Sequence, residues 1–152
     1  MKKLIYLPIV FMIFCLCMWN DFCFLDTLKS LDLAGYSVFC EGDISLENYD
    51  NCMLSGDVKI YSFSSQNIDK KIGQKKVLCE QVFLQKNERK NYIKNNDLKH
   101  VKSEDLEGIK IDYYMCKKLP KYTCVNNEKF NIVIAEKSDG VVIGYPAIMG
   151  SL

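Results

Sequence analysis

The chain has 152 residues, of which 49% are hydrophobic and 26% are charged, and its formal net charge is +1. This length suits one ordinary domain with a core of its own. The basic clusters are interrupted by acids and asparagines, whereas a nucleic-acid-binding face concentrates Lys and Arg. We therefore expect one domain and no nucleic-acid partner.

The N-terminus has the pattern of an export signal. Lys2 and Lys3 precede the uncharged, apolar run 4–19, which ends before Asn20. A positive start followed by such a run is typical of a secretory leader or a signal anchor. Because the two lysines should remain cytoplasmic, the C-terminal domain is expected on the far side of the membrane.

The fate of this segment stays open. The run of 16 residues is shorter than the roughly 20 apolar residues of a spanning helix. Cys15 and Cys17 imitate the small residues of a cleavage site, with an imperfect fit. We therefore predict that residues 1–19 are a signal peptide or a signal anchor. Residues 20–152 would form a single extracytoplasmic domain that is either secreted or membrane-anchored.

Six cysteines follow the leader. They are Cys23, Cys40, Cys52, Cys79, Cys116 and Cys124. An even number of cysteines in a small exported domain favours disulfides over buried thiols. A zinc site fits less well, because no C-x-x-C pair follows the leader and the sequence has a single histidine. The disulfide candidates are Cys116, Cys124, Cys40 and Cys52, of which we predict that Cys116 pairs with Cys124, and we expect no metal and no cofactor.

Secondary structure in the first half of the domain follows from spacing and composition. Residues 26–35 predict a short helix that Asp26 caps and Gly35 ends. Residues 35–42, 57–65 and 75–86 are rich in aromatic and β-branched residues and predict strands. Between the last two, Ile68 and Ile72 lie four residues apart and predict two turns of helix.

The second half begins with a polar segment, 87–100, which could be a surface helix or an ordered loop. Residues 103–108 predict a helical turn, and 109–115 alternate as a half-buried strand does. If Lys117 pairs with Thr123, a three-residue loop brings Cys116 and Cys124 face to face.

The last segment, FNIVIAEKSDGVVIGYP, contains two apolar runs joined by Asp139 and Gly140. Asp-Gly between such runs predicts a hairpin with a type I′ turn, in which both turn residues have positive φ. Both sides of the first run are apolar, so this hairpin is expected in the core. The predicted fold is α+β: a mainly antiparallel sheet of about six strands with a few short helices, after the hydrophobic leader.

The same C-terminal segment, FNIVIAEKSDGVVIGYPAI, resembles the end of the YwmB family. These are small leader-bearing proteins of Gram-positive bacteria, and their fold is described as similar to the TATA-box-binding protein. The resemblance covers about 20 residues and the general plan of a leader followed by one α+β domain. It implies a secreted domain and supplies no catalytic residues.

Two functions are compatible with the sequence. The first is a non-catalytic envelope or secreted domain that binds a protein or wall partner. Its candidate surface residues are Tyr113 and Tyr114, since strand alternation should turn one ring outward. The second is an extracellular thiol-dependent enzyme that uses His100 as base with a cysteine nucleophile. We favour the first, because a histidine in so polar a segment is usually a solvated surface residue.

Overall fold

The structure is a computed structural model that describes residues 22–29, 31–64, 68 and 77–149. The leader predicted over residues 1–19 and nearly all of the helix predicted near residues 68–72 lie outside these residues. None of the helices in the described ranges is long and apolar enough to cross a membrane.

The described residues form ten strands, one α-helix and one 3-10 helix. In chain order these are the 3-10 helix (Phe24–Leu28), β1 (Leu33–Glu41), β2 (Asn51–Ser55), β3 (Val58–Phe63), β4 (Cys79–Leu84), α1 (Glu88–Asn95), β5 (Lys99–Leu106), β6 (Ile109–Met115), β7 (Thr123–Val125), β8 (Glu128–Phe130), β9 (Ile132–Glu136) and β10 (Val141–Tyr145).

Eight of the strands form one antiparallel sheet in the order β2-β3-β1-β4-β10-β9-β6-β5, and β7 pairs with β8 in a separate hairpin. The predicted sheet-rich α+β class is confirmed. Six strands was too low a number, because the exposed edge strands β2 and β5 and the short β7–β8 hairpin were missed.

The C-terminal hairpin lies inside this sheet, with β9 between β10 and β6. Ile132 and Ile134 point to one face, Val133 and Ala135 to the other, and all four are buried. A strand whose two faces are both covered has a continuous apolar sequence. The prediction that this hairpin belongs to the core is therefore confirmed.

One face of the sheet, which we call the helical face, is covered by the 3-10 helix and α1. Phe24 and Tyr92 are each 0% exposed. The Thr27 and Tyr92 hydroxyls lie 3.1 Å apart, and the Asn96 amide donates to the Thr27 carbonyl at 2.9 Å. These contacts fix α1 against the 3-10 helix, and tertiary packing of this kind stabilises a helix as short as α1.

The other face, which we call the groove face, carries a smaller core. Ile111, Val133 and Ala135 from the sheet pack with Phe130 of β8, and Ile148 of the C-terminal segment packs against them. The β7–β8 hairpin and this C-terminal segment therefore cover the groove face only in part.

The predicted helix over 26–35 was wrong in place and length. The helix is a 3-10 turn at Phe24–Leu28, and Gly35 lies inside β1. Asp26 does not occupy the N-cap position; its carboxylate accepts a hydrogen bond at 3.0 Å from the backbone N–H of Cys23, three residues earlier.

The helical turn predicted over 103–108 was also wrong, because residues 99–106 are β5. Glu107 (φ 53°) and Gly108 (φ 84°) connect β5 to β6 as a two-residue turn. Both have positive φ, as the type I′ turn requires. The segment left open at 87–100 divides into α1 and the start of β5.

The predicted β9–β10 hairpin is present, but its turn is different. Gly140 is not among the residues with positive φ, and a four-residue connection separates Glu136 from its partner Val141. A Cβ at Gly140 would lie 2.5 Å from Cζ of Phe83. The glycine is needed for close packing rather than for a left-handed conformation.

Candidate functional site

The groove face contains an open depression with a volume of about 370 Å³, which we call the groove. Ile111 and Tyr113 of β6 and Val133 of β9 form its floor, and Val125 and Phe130 of the β7–β8 hairpin form one wall. The opposite wall is the C-terminal segment at Ala147 and Ile148. The lining is mostly apolar, as is usual for a ligand site of this size.

Polar and exposed residues of β5 form the rim of the groove. Lys102 and Glu104 make an ion pair at 2.6 Å, and Leu106, at the end of the same strand, is 55% exposed. Because the two charges on the rim already neutralise each other, the free contact surface at this end is the leucine side chain.

Tyr113 is held in one orientation. Its hydroxyl donates to Glu104 Oε2 at 2.9 Å, its ring meets that of Phe130 edge to face at 4.8 Å between centroids, and Lys102 Nζ lies 4.6 Å from its ring centroid. Burial, followed by the hydrogen bond to Glu104, raises the pKa of Tyr113 to about 12. Tyr113 is therefore an ordered, uncharged part of the groove.

The neighbouring Tyr114 lies on the opposite side of β6. It is 7% exposed and belongs to the core of the helical face, where the His100 ring packs edge-on against it at 5.4 Å. Of the two tyrosines predicted to offer a binding surface, only Tyr113 lines the groove. Strand alternation alone could not tell which, because both faces of β6 are covered.

A second group of polar residues surrounds Asp112 at the margin of the helical face. Arg89 of α1 forms an ion pair with the Asp112 carboxylate, the Ser103 hydroxyl donates to the same carboxylate, and Lys110 Nζ lies 3.7 Å from it. The Asp112 side chain is 4% exposed. Buried carboxylates need such partners, because an unpaired charge away from water is costly.

His100 belongs to this group, and its contacts do not form a catalytic triad. Its Nε2 lies 2.9 Å from Ser103 Oγ and 4.0 Å from Asp112 Oδ1. In a triad the histidine stands between the serine and the carboxylate. Here the serine stands between the other two and gives its proton to the carboxylate, so the histidine is not placed to take it.

The histidine is also remote from Cys79, a cysteine that a thiol-dependent enzyme could use as its nucleophile. Cys79 lies on β4, four strands from β5, which corresponds to roughly 19 Å at the usual strand spacing. Burial raises the pKa of Cys79 to about 11, so its thiol stays protonated at neutral pH. Cys124 is exposed on β7, where it pairs with Lys129.

No disulfide joins the cysteines of the described residues. Cys40 and Cys52 lie on strands that both flank β3, where they pair with Lys59 and Tyr61, so they are separated by more than roughly 9.5 Å, beyond the reach of a disulfide. Cys116 is fully buried. The hairpin predicted to bring it opposite Cys124 does not form, because Thr123 pairs with Phe130.

Glu80 is a buried carboxyl on the helical face, 2% exposed. It accepts a hydrogen bond from the Tyr36 hydroxyl. Burial raises its pKa above the ordinary value of 4.5, against the opposing effects of Tyr36 and of the Lys121 charge. Enclosed in the core, this group bears on stability rather than on a ligand.

A raised pKa means that the folded state binds the proton of Glu80 more tightly than the unfolded chain does. The associated stabilisation is complete below the unfolded pKa and is lost as pH rises through the folded pKa. Glu80→Gln, which keeps an acceptor for Tyr36, should therefore gain stability relative to the unmodified chain as pH rises above about 4.5. Urea unfolding over a pH series measures this difference.

Glu104→Gln is the matched control. The hydrogen bonds from Lys102 and Tyr113 lower the pKa of Glu104, so its contribution has the opposite sign and is lost as pH falls. Parallel pH profiles for Glu80→Gln and the unmodified chain would contradict the assignment of Glu80.

Gly144 of β10 allows the C-terminal wall of the groove to lie on the sheet. A Cβ at this position would be 2.3 Å from the Ala147 carbonyl oxygen and 2.6 Å from Cγ1 of Ile148. The wall is further held by two hydrogen bonds, from the Cys79 thiol to the Ala147 carbonyl at 2.7 Å and from the Gln81 amide to the Met149 carbonyl at 2.8 Å.

Gly144→Ala should displace this wall and expose Cys79, which is 1% exposed in the structure. We expect Cys79 to be alkylated under native conditions in the variant and to resist alkylation in the unmodified chain, as read by peptide mass spectrometry. Gly35→Ala is the control, because a Cβ there meets nothing within 4 Å. Equal protection of Cys79 in all three proteins would contradict this role for Gly144.

The described residues contain no group of three or more His, Cys, Asp or Glu side chains that could hold a metal ion. Comparisons with protein-family models, curated proteins and solved structures find no match to this chain.

Proposed function

We propose that this chain is an exported, non-catalytic domain of the cell envelope, secreted or anchored through its N-terminal segment, that binds an apolar segment of a protein partner in the groove. The observation that carries the proposal is the groove itself: a largely apolar depression with an ordered tyrosine and an exposed leucine at its rim. The leader-like sequence of residues 1–19 supports the location.

The partner chemistry follows from what the groove lacks. Among the described residues, the only buried side-chain nitrogen or oxygen without a hydrogen bond is Nε of Arg89, and Arg89 lies on the helical face. Among the described residues, therefore, the groove contains no buried polar side-chain atom that lacks a hydrogen bond and could bind a polar ligand. Apolar side chains of an extended peptide suit such a surface, since apolar burial drives most protein association.

As part of this proposal, we infer that the chain is related to the YwmB family. The residues that carry the resemblance correspond to β9, β10 and the C-terminal wall of the groove. The family's description as secreted agrees with the export that we infer from the leader. The rival, a thiol-dependent enzyme using His100, gains no support from the contacts of that histidine.

The test is equilibrium binding by the full-length chain in lipid nanodiscs. Peptides selected from a random display library on the unmodified protein are titrated against it and against Leu106→Asp. We expect the variant to bind at least about tenfold more weakly, which corresponds to 1.4 kcal/mol of lost contact. Circular dichroism checks that both proteins are folded.

Leu54→Asp is the matched control, because Leu54 is equally apolar and more exposed (71%) but lies on β2 at the opposite edge of the sheet. This variant should bind the peptides as the unmodified chain does. Equal loss in the two variants, or failure to select any peptide, would overturn the groove as the binding site.

A further inference from the structure

The two edges of the eight-stranded sheet differ sharply. At one edge, β5 carries charged side chains along most of its length, and its register with β6 shifts between His100 and Lys102. Charges and irregularities of this kind prevent an edge strand from pairing with another chain. At the other edge, β2 has neither protection.

Strand β2 is NCMLS, Asn51–Ser55, and all five residues are exposed. Met53 and Leu54 are 57% and 71% exposed. The strand contains no charge and no proline, and its register with β3 is unbroken. No strand of the described residues pairs with its outer side. An uncharged, regular and apolar edge is a template for one more strand.

The polarity of β2 is symmetric about Met53. Cys52 and Leu54, which flank it, are apolar, and Asn51 and Ser55 at the two ends are polar. When two identical strands pair antiparallel about a two-fold axis, the central residue faces its own copy. A residue before the centre of one strand then faces the residue that lies equally far after the centre of the other strand. Such an isologous contact requires this kind of self-complementarity.

We propose that β2 pairs antiparallel with β2 of a second copy of this chain, across a two-fold axis at Met53, and joins the two sheets edge to edge. Met53 then faces its own copy, Cys52 faces Leu54, and Asn51 faces Ser55. No charge is buried at the contact. A head-to-tail pairing of β2 with β5 would place charged side chains against an uncharged strand and would not close.

This proposal goes beyond the proposed function and is independent of it. The groove lies over β6 and β9, near the other edge of the sheet, so pairing through β2 leaves both grooves open. The Leu54→Asp and Leu106→Asp variants thus separate the two: the first should disrupt pairing alone and the second should disrupt peptide binding alone.

Geometry supplies a position-specific test by cysteine cross-linking of the full-length chain in lipid nanodiscs that hold two copies. Residues directly opposed across an antiparallel pair lie about 4.5 to 5.5 Å apart, within disulfide range, whereas diagonal neighbours lie about 7 to 8 Å apart. Met53→Cys in a Cys52→Ser background should therefore form an intermolecular disulfide with copper phenanthroline as the oxidant. In the unmodified chain the two copies of Cys52 are diagonal neighbours, too far apart for a disulfide, so a short bis-maleimide should join them instead.

The control is Cys124, the other exposed cysteine among the residues that the structure describes, which lies on β7. The Cys124→Ser variant should cross-link as the unmodified chain does, and Cys52→Ser should lose at least tenfold in bis-maleimide yield. Met53→Lys, which places like charges on the axis, should lower the dimer fraction to the same extent in native mass spectrometry while circular dichroism stays unchanged.

Two results would overturn the proposal. One is equal cross-linking through positions 52, 53 and 124, which indicates random collision. The other is a chain that stays monomeric at every concentration tested, which is the outcome expected if β2 receives a strand of a different protein.

Discussion

Replacing Arg89 with methionine is expected to lower the free energy of unfolding by about 3 kcal/mol, because Asp112 would remain buried without its principal cation. The Asp112 side chain is 4% exposed, and that of Arg89 is 20% exposed. Lys110, at 3.7 Å, is 57% exposed and replaces the lost partner only in part. Urea unfolding followed by circular dichroism measures the change.

Two further variants test the cause. Combining Arg89→Met with Asp112→Asn removes both charges, and we expect it to recover a large part of the lost stability. Lys102→Met breaks an exposed ion pair, that with Glu104, and should cost no more than about 1 kcal/mol. Equal effects of Arg89→Met and Lys102→Met would show that burial of the Asp112 pair contributes nothing.

Ile134→Ala is expected to destabilise the domain by about 2 to 5 kcal/mol, the range for removing a large aliphatic side chain from a packed core. Ile134 is 0% exposed in β9, the strand between β10 and β6, and it faces Ile143 across the ladder. The loss combines the apolar area exposed to water with a cavity that the neighbouring strands cannot close.

Ile134→Val should cost about 1 kcal/mol, since it deletes one methylene group. Leu106→Ala, at a residue that is 55% exposed, should change the midpoint of thermal unfolding only slightly. A shift for Ile134→Ala as small as that for Leu106→Ala would show that β9 is not central to the core.

The strands that sequence patterns predicted are those whose side chains are buried in the core on one or both faces of the sheet. The segments at 35–42, 57–65 and 109–115 and the hairpin of β9 and β10 show the alternating or continuous apolar patterns that burial imposes. The edge strand β5 escaped prediction because its side chains, such as Lys102 and Ser103, are satisfied by ion pairs and hydrogen bonds rather than by burial.

The helix α1 was left open for a related reason. Most of its residues are polar, and Tyr92 is its one buried residue. The partner of that tyrosine, Thr27, is 65 residues away in the chain. Local sequence could not reveal that contact, whereas the tertiary contact decides whether so short a helix forms.

Of the residues that line the groove, sequence analysis singled out only Tyr113. The adjacent pair Tyr113 and Tyr114 drew attention to β6, but the walls of the groove come from Phe130 and Ile148, which only the folded chain brings near. Of the polar group around Asp112, sequence analysis considered only His100. Arg89 is the only arginine in the sequence, and arginine is the preferred cation for buried pairs, so this signal could have pointed to it.

The position of β4 in the sheet has a consequence for how the domain folds. β4 joins β1 to β10, and its pairing with β10 brings Val82 next to Ile143, so the sheet is completed only by a contact between distant parts of the chain. Closing such a long loop costs chain entropy before the contact between β4 and β10 stabilises the fold, and this cost slows folding. Strands β1 to β4 would meanwhile leave the apolar edge of β4 uncovered, and an open edge of this kind promotes aggregation. We therefore expect strands β1 to β4 and strands β5 to β10 to acquire structure together, in one slow cooperative step.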